Sequence, residues 1–390
     1  MSSSAGAGGP LRIICIVGAR PNFMKIAPVL RALKARGVET MLVHTGQHYD
    51  QVMKEDFFDQ LGIPTPDVDL EVGSASHAQQ TAEIMKRFEP VLLEDRPDAV
   101  LVVGDVNSTI ACALVAVKEH VPVVHVEAGL RSFDRYMPEE INRILTDQLS
   151  DLLFTTEEAG AANLQAEGIP RSRVHYVGNV MIDTLKANLD RASRLEDVMQ
   201  RHAPGALSLV GEAGYSLLTL HRPSNVDDPE VLAGLVDTLI GLAEKVPVIF
   251  PMHPRTHARL ESGGLIVRLE ASDHVALLPP LPYLDLLGLM ANARYVLTDS
   301  GGIQEETTAL GVPCVTLREN TERPITVTEG TNEIVGTSST RIQEVVENIL
   351  ETGGKSGRVP EFWDGRAADR VAEVVEAWLV DRRRVGSARA

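Results

Sequence analysis

Tyr295-Val296-Leu297-Thr298-Asp299-Ser300-Gly301-Gly302-Ile303-Gln304-Glu305-Glu306 is the stretch that decides the reading of this chain. An apolar run enters a Ser-Gly-Gly turn, and a helical pattern then reaches Leu310. A strand that feeds a helix through a glycine turn is the unit from which parallel α/β sheets are built. The turn offers backbone amides at the positive end of the helix, which suits a diphosphate. Glu306 falls about one and a half turns inside, placed to accept hydrogen bonds from ribose hydroxyls. An Asp- or Ser-capped helix with glycine for close packing is the plainer reading of the same residues.

The same unit recurs on both sides. Strand-like runs at Ser216–Leu220, Pro247–Phe250, Val275–Leu278 and Pro313–Leu317 flank it, with helical patterns such as Glu230–Ala243 and Ile303–Leu310 between. An earlier series comprises Arg12–Val17, Thr40–His44, Ala99–Val103, Pro122–Val126, Leu152–Thr155 and Val174–Val177. Helices at Pro28–Ala35, Ser108–Lys118 and Glu139–Leu149 separate those runs. With 390 residues to place, one ordinary domain does not suffice. The expectation is an α/β fold of two Rossmann-like, doubly wound domains facing a central cleft.

The expected divisions are a tail over 1–10, a first domain over 11–185, a second over 186–365 and a closing helix in 366–390. The polar, helical segment Asn179–Gly214 carries the connection, and Gly353–Pro360 precedes the last helical pattern, Arg366–Arg384. That helix is free to pack on either domain, including back on the first.

Composition bounds the function. The formal charge is −17, which repels phosphate backbones at long range and argues against nucleic acid as a partner. A small phosphorylated ligand stays compatible, because local cations and amides outweigh a mean field. Cys15, Cys112 and Cys314 lie far apart without CxxC spacing, which argues against disulfides or a metal site and fits the cytoplasm. Met1–Pro10 has no basic n-region, and Val275–Asn292, with one charge, is interrupted by three prolines. Neither a signal peptide nor a membrane span is expected.

Polar loops cluster at the ends of the expected strands. Gly18-Ala19-Arg20-Pro21-Asn22-Phe23-Met24-Lys25 puts two cations beside a helix N-terminus. It is not a GxGxxG turn, so no dinucleotide is implied. Asp105 follows an apolar strand, where Asn107 or Ser108 could equally cap the next helix. Glu127 ends another apolar strand and needs a partner, for which Arg131 is a candidate. Pro138 suits the first helical position, and Glu139 and Glu140 could simply complement the helix dipole. Each plain reading is adequate alone; three carboxylates on successive strand ends suggest a site. In the second half His221-Arg222 and His253-Pro254-Arg255 repeat one chemistry on neighbouring strand ends, as a phosphate-facing surface would.

Taken in order, GARPNFMK (18–25), TGQH (45–48), GDVNST (104–109), HVEAGLR (125–131), PEEINR (138–143), LTLHRP (218–223), TDSGGIQEE (298–306) and TERPITV (321–327) resemble the motifs of non-hydrolysing UDP-N-acetylglucosamine 2-epimerases. The likeness runs from about Arg12 to Gly336. It implies a GT-B-like pair of domains, the second binding UDP. By resemblance Arg20 and Lys25 belong to the substrate site. Asp105, Glu127 and Glu139 correspond to catalytic carboxylates and His221 to the catalytic histidine. Ser300, Gly301, Gly302, Glu306 and Arg323 match UDP-binding positions. Gln47 and His48 fall where several bacterial members bind a regulatory second substrate molecule, although Tyr49-Asp50 departs from their pattern. Leu281 and Leu286 stand where relatives often place Gln and Phe near the uracil.

The resemblance implies C2 epimerisation of a UDP-2-acetamido sugar by elimination of UDP to a glycal and re-addition, with no cofactor and no metal. A cytoplasmic homodimer is the expected form. Rival readings are a hydrolysing 2-epimerase, an epimerase of a related sugar such as a 2,3-diacetamido uronic acid, a glycosyltransferase of the same architecture, and a non-catalytic sugar-nucleotide sensor.

Overall fold

The computed structural model describes residues 9–46, 61–211 and 213–387, the side chains of residues 20, 386 and 387 excepted. The chain divides into two compact units. One runs to Thr184 and takes in the chain again from Asp364; the other is Leu185–Trp363.

The first unit holds a seven-stranded sheet of β1 (Arg12–Val17), β2 (Glu39–His44), β3 (Val68–Asp69), β4 (Ala99–Val103), β5 (Val123–Ala128), β6 (Leu152–Thr155) and β7 (Val174–Tyr176). Its order is β3-β2-β1-β4-β5-β6-β7, with every pairing parallel. The second unit holds β8 (Ser216–Thr219), β9 (Val248–Pro251), β10 (Val275–Leu278), β11 (Tyr295–Thr298), β12 (Cys314–Thr316) and β13 (Asn332–Ile334). They run in the order β10-β9-β8-β11-β12-β13, again all parallel. Both sheets are doubly wound, as the alternation of apolar runs and helical patterns implies. The order reverses between β1 and β4 in one unit and between β8 and β11 in the other. At such a switch point the flanking loops diverge and leave a crevice at the strands' carboxyl ends.

Buried strands explain the apolar runs. All five residues of β4 are buried, because helices cover both faces of a parallel sheet. The cores are mostly aliphatic, built on Ile14, Ile16, Val100, Val102 and Ile84 in one unit and on Leu218, Leu235, Leu239, Val248 and Leu297 in the other.

The first helix begins earlier than the pattern suggests, spanning Arg20–Ala35 rather than Pro28–Ala35. Pro21 suits the first turn, and the Asn22 carboxamide oxygen accepts from the Ala19 amide at 3.0 Å. Pro28 then lies mid-helix and cannot donate to the Met24 carbonyl. The Thr184 hydroxyl donates to that carbonyl instead, at 2.5 Å, so the interruption is repaired from outside the helix. The last helix, Ala367–Ser387, belongs to the first unit. Its Ala367 and Ala368 amides donate to the Asp183 carboxylate at 3.1 and 2.7 Å. Among the described residues, no helix is long and apolar enough to cross a membrane.

Candidate active site

In the first unit the expected residues gather at the β1/β4 switch point. Asn22 bridges the two loops, its amide donating to the Val103 carbonyl at 2.9 Å. Gly104 follows with φ +66°, a conformation that favours glycine. A Cβ there would stand 3.0 Å from Lys25 Nζ, 3.2 Å from Asn22 Nδ2 and 3.3 Å from Glu127 Oε2. The missing side chain lets Lys25 and Glu127, both buried, form an ion pair. Glu127 itself has φ +72°, and the β5–β6 register shifts between Val126 and Ala128. A left-handed non-glycine residue costs about 1–3 kcal/mol and persists only where its surroundings hold it. The bulge re-aims one carboxylate out of an otherwise regular strand.

Asp105, at the next strand end, pairs with the Arg143 guanidinium. Arg143 is buried and also donates to Glu140 from Nη2 at 2.7 Å and from Nε at 2.9 Å. Glu140 accepts the Ser132 and Phe133 amides as well, at 3.0 and 2.9 Å. Burial pushes the Glu140 carboxyl up, yet these donors hold it below its ordinary range. The two glutamates of the Pro-Glu-Glu sequence therefore divide their work. Glu140 ties down the loop and Arg143, while Glu139 is half-buried and makes no hydrogen bond or ion pair among the described residues.

Arg131 is not the partner of Glu127. It pairs with Asp147 at 2.7 Å and with Glu167 at 2.6 Å. Asp147 also receives the Gly129 amide and faces His125 Nδ1 at 2.7 Å, while His125 Nε2–H donates to the Gly104 carbonyl at 2.9 Å. Arg131 Nη1 also donates to the Leu130 carbonyl at 2.7 Å, and Lys25, from the sequence-distant first helix, pairs with Glu127. Arg20 opens the first helix, and its side chain lies outside the described structure, as do Gln47 and His48.

The second unit assembles the other expected residues around β8 and β11. Hydroxyls of Thr219 and Thr298 hydrogen-bond at 2.6 Å and join the two strand ends. Beyond them the fully buried Asp299 carboxylate accepts the amides of His221, at 3.0 and 3.1 Å, and Arg222, at 2.8 Å. It also lies 2.8 Å from His221 Nδ1. The helix Gly301–Leu310 then starts with Ser300 at its N-cap position, and no side chain caps it. The first-turn amides of this helix thus receive no capping side chain, an arrangement that suits an anion. A Cβ on Gly301 would come within 2.7 Å of Arg323 Nη1 and 2.9 Å of Glu322 Oε1, so glycine lets that pair close over the helix end.

Glu322 lies among three guanidiniums, Arg323 at 2.5 Å, Arg318 at 2.8 Å and Arg222 at 3.6 Å. Burial raises its carboxyl, and the arginines overturn this and hold it far below the usual range. Arg323 also pairs with Glu305 at 2.9 Å. Glu306 is buried within the helix and accepts the Tyr283 hydroxyl at 2.9 Å. Burial, with a small addition from Glu305, raises its carboxyl to about 7 despite that hydrogen bond. His253 sits next to His221, ring centroids 5.8 Å apart, and its Nδ1 accepts the Arg255 amide at 3.2 Å. Leu281 is buried and Leu286 half-buried, flanking Tyr283 in sequence.

Sequence reasoning missed Asp299, Glu140, Arg143 and His125 as organisers. The Glu140–Arg143 spacing of three was a usable signal for a helical ion pair. Nothing local marks Asp299 as the partner of His221, since they lie 78 positions apart. Among the described residues no group of three or more His, Cys, Asp or Glu is placed to hold a metal ion.

Two doubly wound sheets, one presenting carboxylates at its switch point and the other a histidine beside an uncapped, arginine-flanked helix, define an α/β protein fitted to phosphorylated ligands. Residues 31–376 match the model of the UDP-N-acetylglucosamine 2-epimerase family, and the chain belongs to that family. The UDP-N-acetylglucosamine 2-epimerase of Methanocaldococcus jannaschii is 41% identical over 367 residues, 94% of this chain and 99% of that one. Its crystal structure in complex with UDP-GlcNAc and UDP superposes with a TM-score of 0.85, at 41% identity, over 94% of this chain and 100% of that one. The UDP-2,3-diacetamido-2,3-dideoxy-D-glucuronate 2-epimerase of Pseudomonas aeruginosa is also 41% identical, over 368 residues, 93% of this chain and 99% of that one.

Proposed function

We propose that this protein interconverts UDP-N-acetylglucosamine and UDP-N-acetylmannosamine by reversible elimination and re-addition of UDP. The observation that carries the reading is the division of labour between the sites. Carboxylates stand at one switch point, and a histidine with an open helix N-terminus stands at the other.

In the forward half a carboxylate takes the C2 proton, the C1–O bond breaks, and its electron pair leaves with UDP, giving a C1=C2 glycal. In the return half UDP oxygen adds to C1, and a proton is delivered to C2 on the opposite face. Two faces require more than one acid/base group, each contributing about 10²–10⁴-fold. Glu127, paired with Lys25, and Asp105, paired with Arg143, are placed to accept protons. Glu139 is the open member of the set. The departing diphosphate meets the amides of Gly301 and Gly302, with Arg323, His221, His253 and Ser300 around it. Glu306 takes the ribose hydroxyls, and Arg20 and Lys25 complete the substrate site. Three buried free thiols support a cytoplasmic setting. The family resemblance supports a homodimer, and Gln47 and His48 as a regulatory site.

A second substrate is favoured by one observation, the equal identity to the diacetamido-glucuronate enzyme. Incubation with each UDP-sugar alone tests both readings. C2 epimers at equilibrium from UDP-N-acetylglucosamine support the proposal. Turnover of the diacetamido uronic acid alone transfers the chemistry to that substrate, and free sugar plus UDP replaces the proposal with hydrolysis.

A further inference from the structure

We propose that Asp299 is a positioning residue that fixes a hydrogen of the His221 ring on Nδ1 and so makes Nε2 the ring's exchangeable position, which gives its proton to the diphosphate oxygen as the C1–O bond breaks and takes it back when UDP re-adds. The inference rests on the proposal that His221 acts on that group. Its own content is the orientation and tautomer of the ring.

Asp299 is fully buried, and an ionised carboxylate offers only acceptor atoms. Four donors surround it: the amides of His221 and Arg222, the Asn225 side-chain amide at 3.2 Å, and the His221 ring at 2.8 Å. Burial by itself raises the Asp299 carboxyl, and the His221 ring together with these amides brings it below its ordinary value. Facing an acceptor-only group, Nδ1 of His221 must carry its hydrogen. Asn225 also donates to the Leu317 carbonyl at 2.9 Å, so the carboxylate is braced against the neighbouring strand. The ring therefore takes its direction from β11, while its own backbone belongs to the end of β8.

The neighbouring histidine is set the opposite way. His253 Nδ1 accepts the Arg255 amide, which places the proton of its neutral ring on Nε2. The two imidazoles, 5.8 Å apart, are thus set in opposite senses, His221 with a hydrogen on Nδ1 and its Nε2 as the exchangeable position, His253 with Nδ1 as acceptor and its hydrogen on Nε2. Only His221 gains and loses a proton without breaking its scaffold hydrogen bond. That assigns proton exchange to His221 and a fixed donor role to His253.

Asp299→Asn separates positioning from mere support. The asparagine oxygen still accepts the backbone amides, but its NH2 faces Nδ1 and forces the neutral ring to carry its proton on Nε2. Nitrogen-15 spectra of histidine-labelled enzyme, recorded where the ring is neutral, should show the Nδ1–H form of His221 in the natural protein and the Nε2–H form in the variant. We expect kcat to fall by about 10²–10⁴-fold, as when the same exchange is made behind other catalytic histidines, with KM for UDP-N-acetylglucosamine changing less than about threefold. On a His221→Asn background the second substitution should cost little more, because the two residues act as one unit. An Nε2–H ring in the natural protein overturns the proposal even if the variant does not fold. An unchanged tautomer or an unchanged kcat in Asp299→Asn overturns it as well. Full activity in His221→Asn, with the tautomers as expected, instead removes His221 from the mechanism and leaves the orientation intact.

Discussion

Lys25 and Glu127 form a buried ion pair beside Gly104, one from the second turn of the first helix and the other from a bulge at the end of β5. Neither charge has access to much water, so each depends on the other. Lys25→Met takes that cation from beside the buried Glu127 carboxylate, and loss of one partner of a buried pair typically costs about 3–5 kcal/mol. A marked drop in melting temperature together with loss of turnover is expected. Thermal denaturation indistinguishable from the natural protein would show that the pair does not hold the strand end.

The carboxylates carry a second prediction. Asp105→Asn, Glu127→Gln and Glu139→Gln should each reduce kcat by about 10²-fold or more. UDP affinity, measured by calorimetry, should stay near that of the natural protein, because the proposed UDP contacts lie in the other unit. Glu140→Gln should differ from Glu139→Gln by lowering stability, since Glu140 holds Arg143 and two loop amides. Near-normal turnover in any of the first three removes that residue from the proton-transfer set.

The contrast between those glutamates shows how far the sequence could be read. Period and apolar runs reveal β4 and β11 because both faces of a parallel sheet are buried. They do not reveal β3, two residues long, or β13, whose sequence Asn-Glu-Ile is mostly polar. Pro28 hides the first half of its helix, since the repair comes from Thr184, remote in sequence. Residue types at strand ends point to Glu127, but its left-handed φ and its pairing with Lys25 rather than Arg131 depend on a bulge no local pattern encodes. Strand ends are legible; the partners chosen across the sheet are not.

The uncapped helix makes a prediction about binding alone. Gly301→Val places a side chain where Arg323 Nη1 and Glu322 Oε1 stand, and it obstructs the first-turn amides. UDP affinity should fall by at least about tenfold, at unchanged circular dichroism, with the loss of hydrogen bonds and charge at one helix end. Unaltered affinity in a folded variant would move the diphosphate elsewhere.

Glu306 predicts a pH dependence. Its carboxyl lies near 7 in the fold against an ordinary value of 4.5. The sign follows from that elevation: this group's contribution to stability is greatest when it is protonated and is lost as pH rises from about 4.5 through 7. Ribose hydroxyls donate to the ionised form, so binding should release a proton. Affinity for UDP-N-acetylglucosamine, whose diphosphate diester does not titrate near neutrality, should rise by up to about tenfold per pH unit below 7 and level off above it. Calorimetry in buffers of different ionisation enthalpy measures the released proton directly. If Glu306→Gln retains both the slope and the proton release, the assignment to this carboxyl is wrong.

In the proposed route the C2 hydrogen leaves as a proton to an enzyme group and a different proton returns. Equilibrating UDP-N-acetylglucosamine with the enzyme in heavy water, followed by mass spectrometry of both epimers, tests that route. Elimination and re-addition predict one deuterium at C2 of the epimerised product, because the abstracted proton exchanges with solvent before the other face is protonated. A hydride taken from C2 and returned to it would keep the original hydrogen. Epimer that forms at a normal rate with no deuterium at C2 would contradict the account.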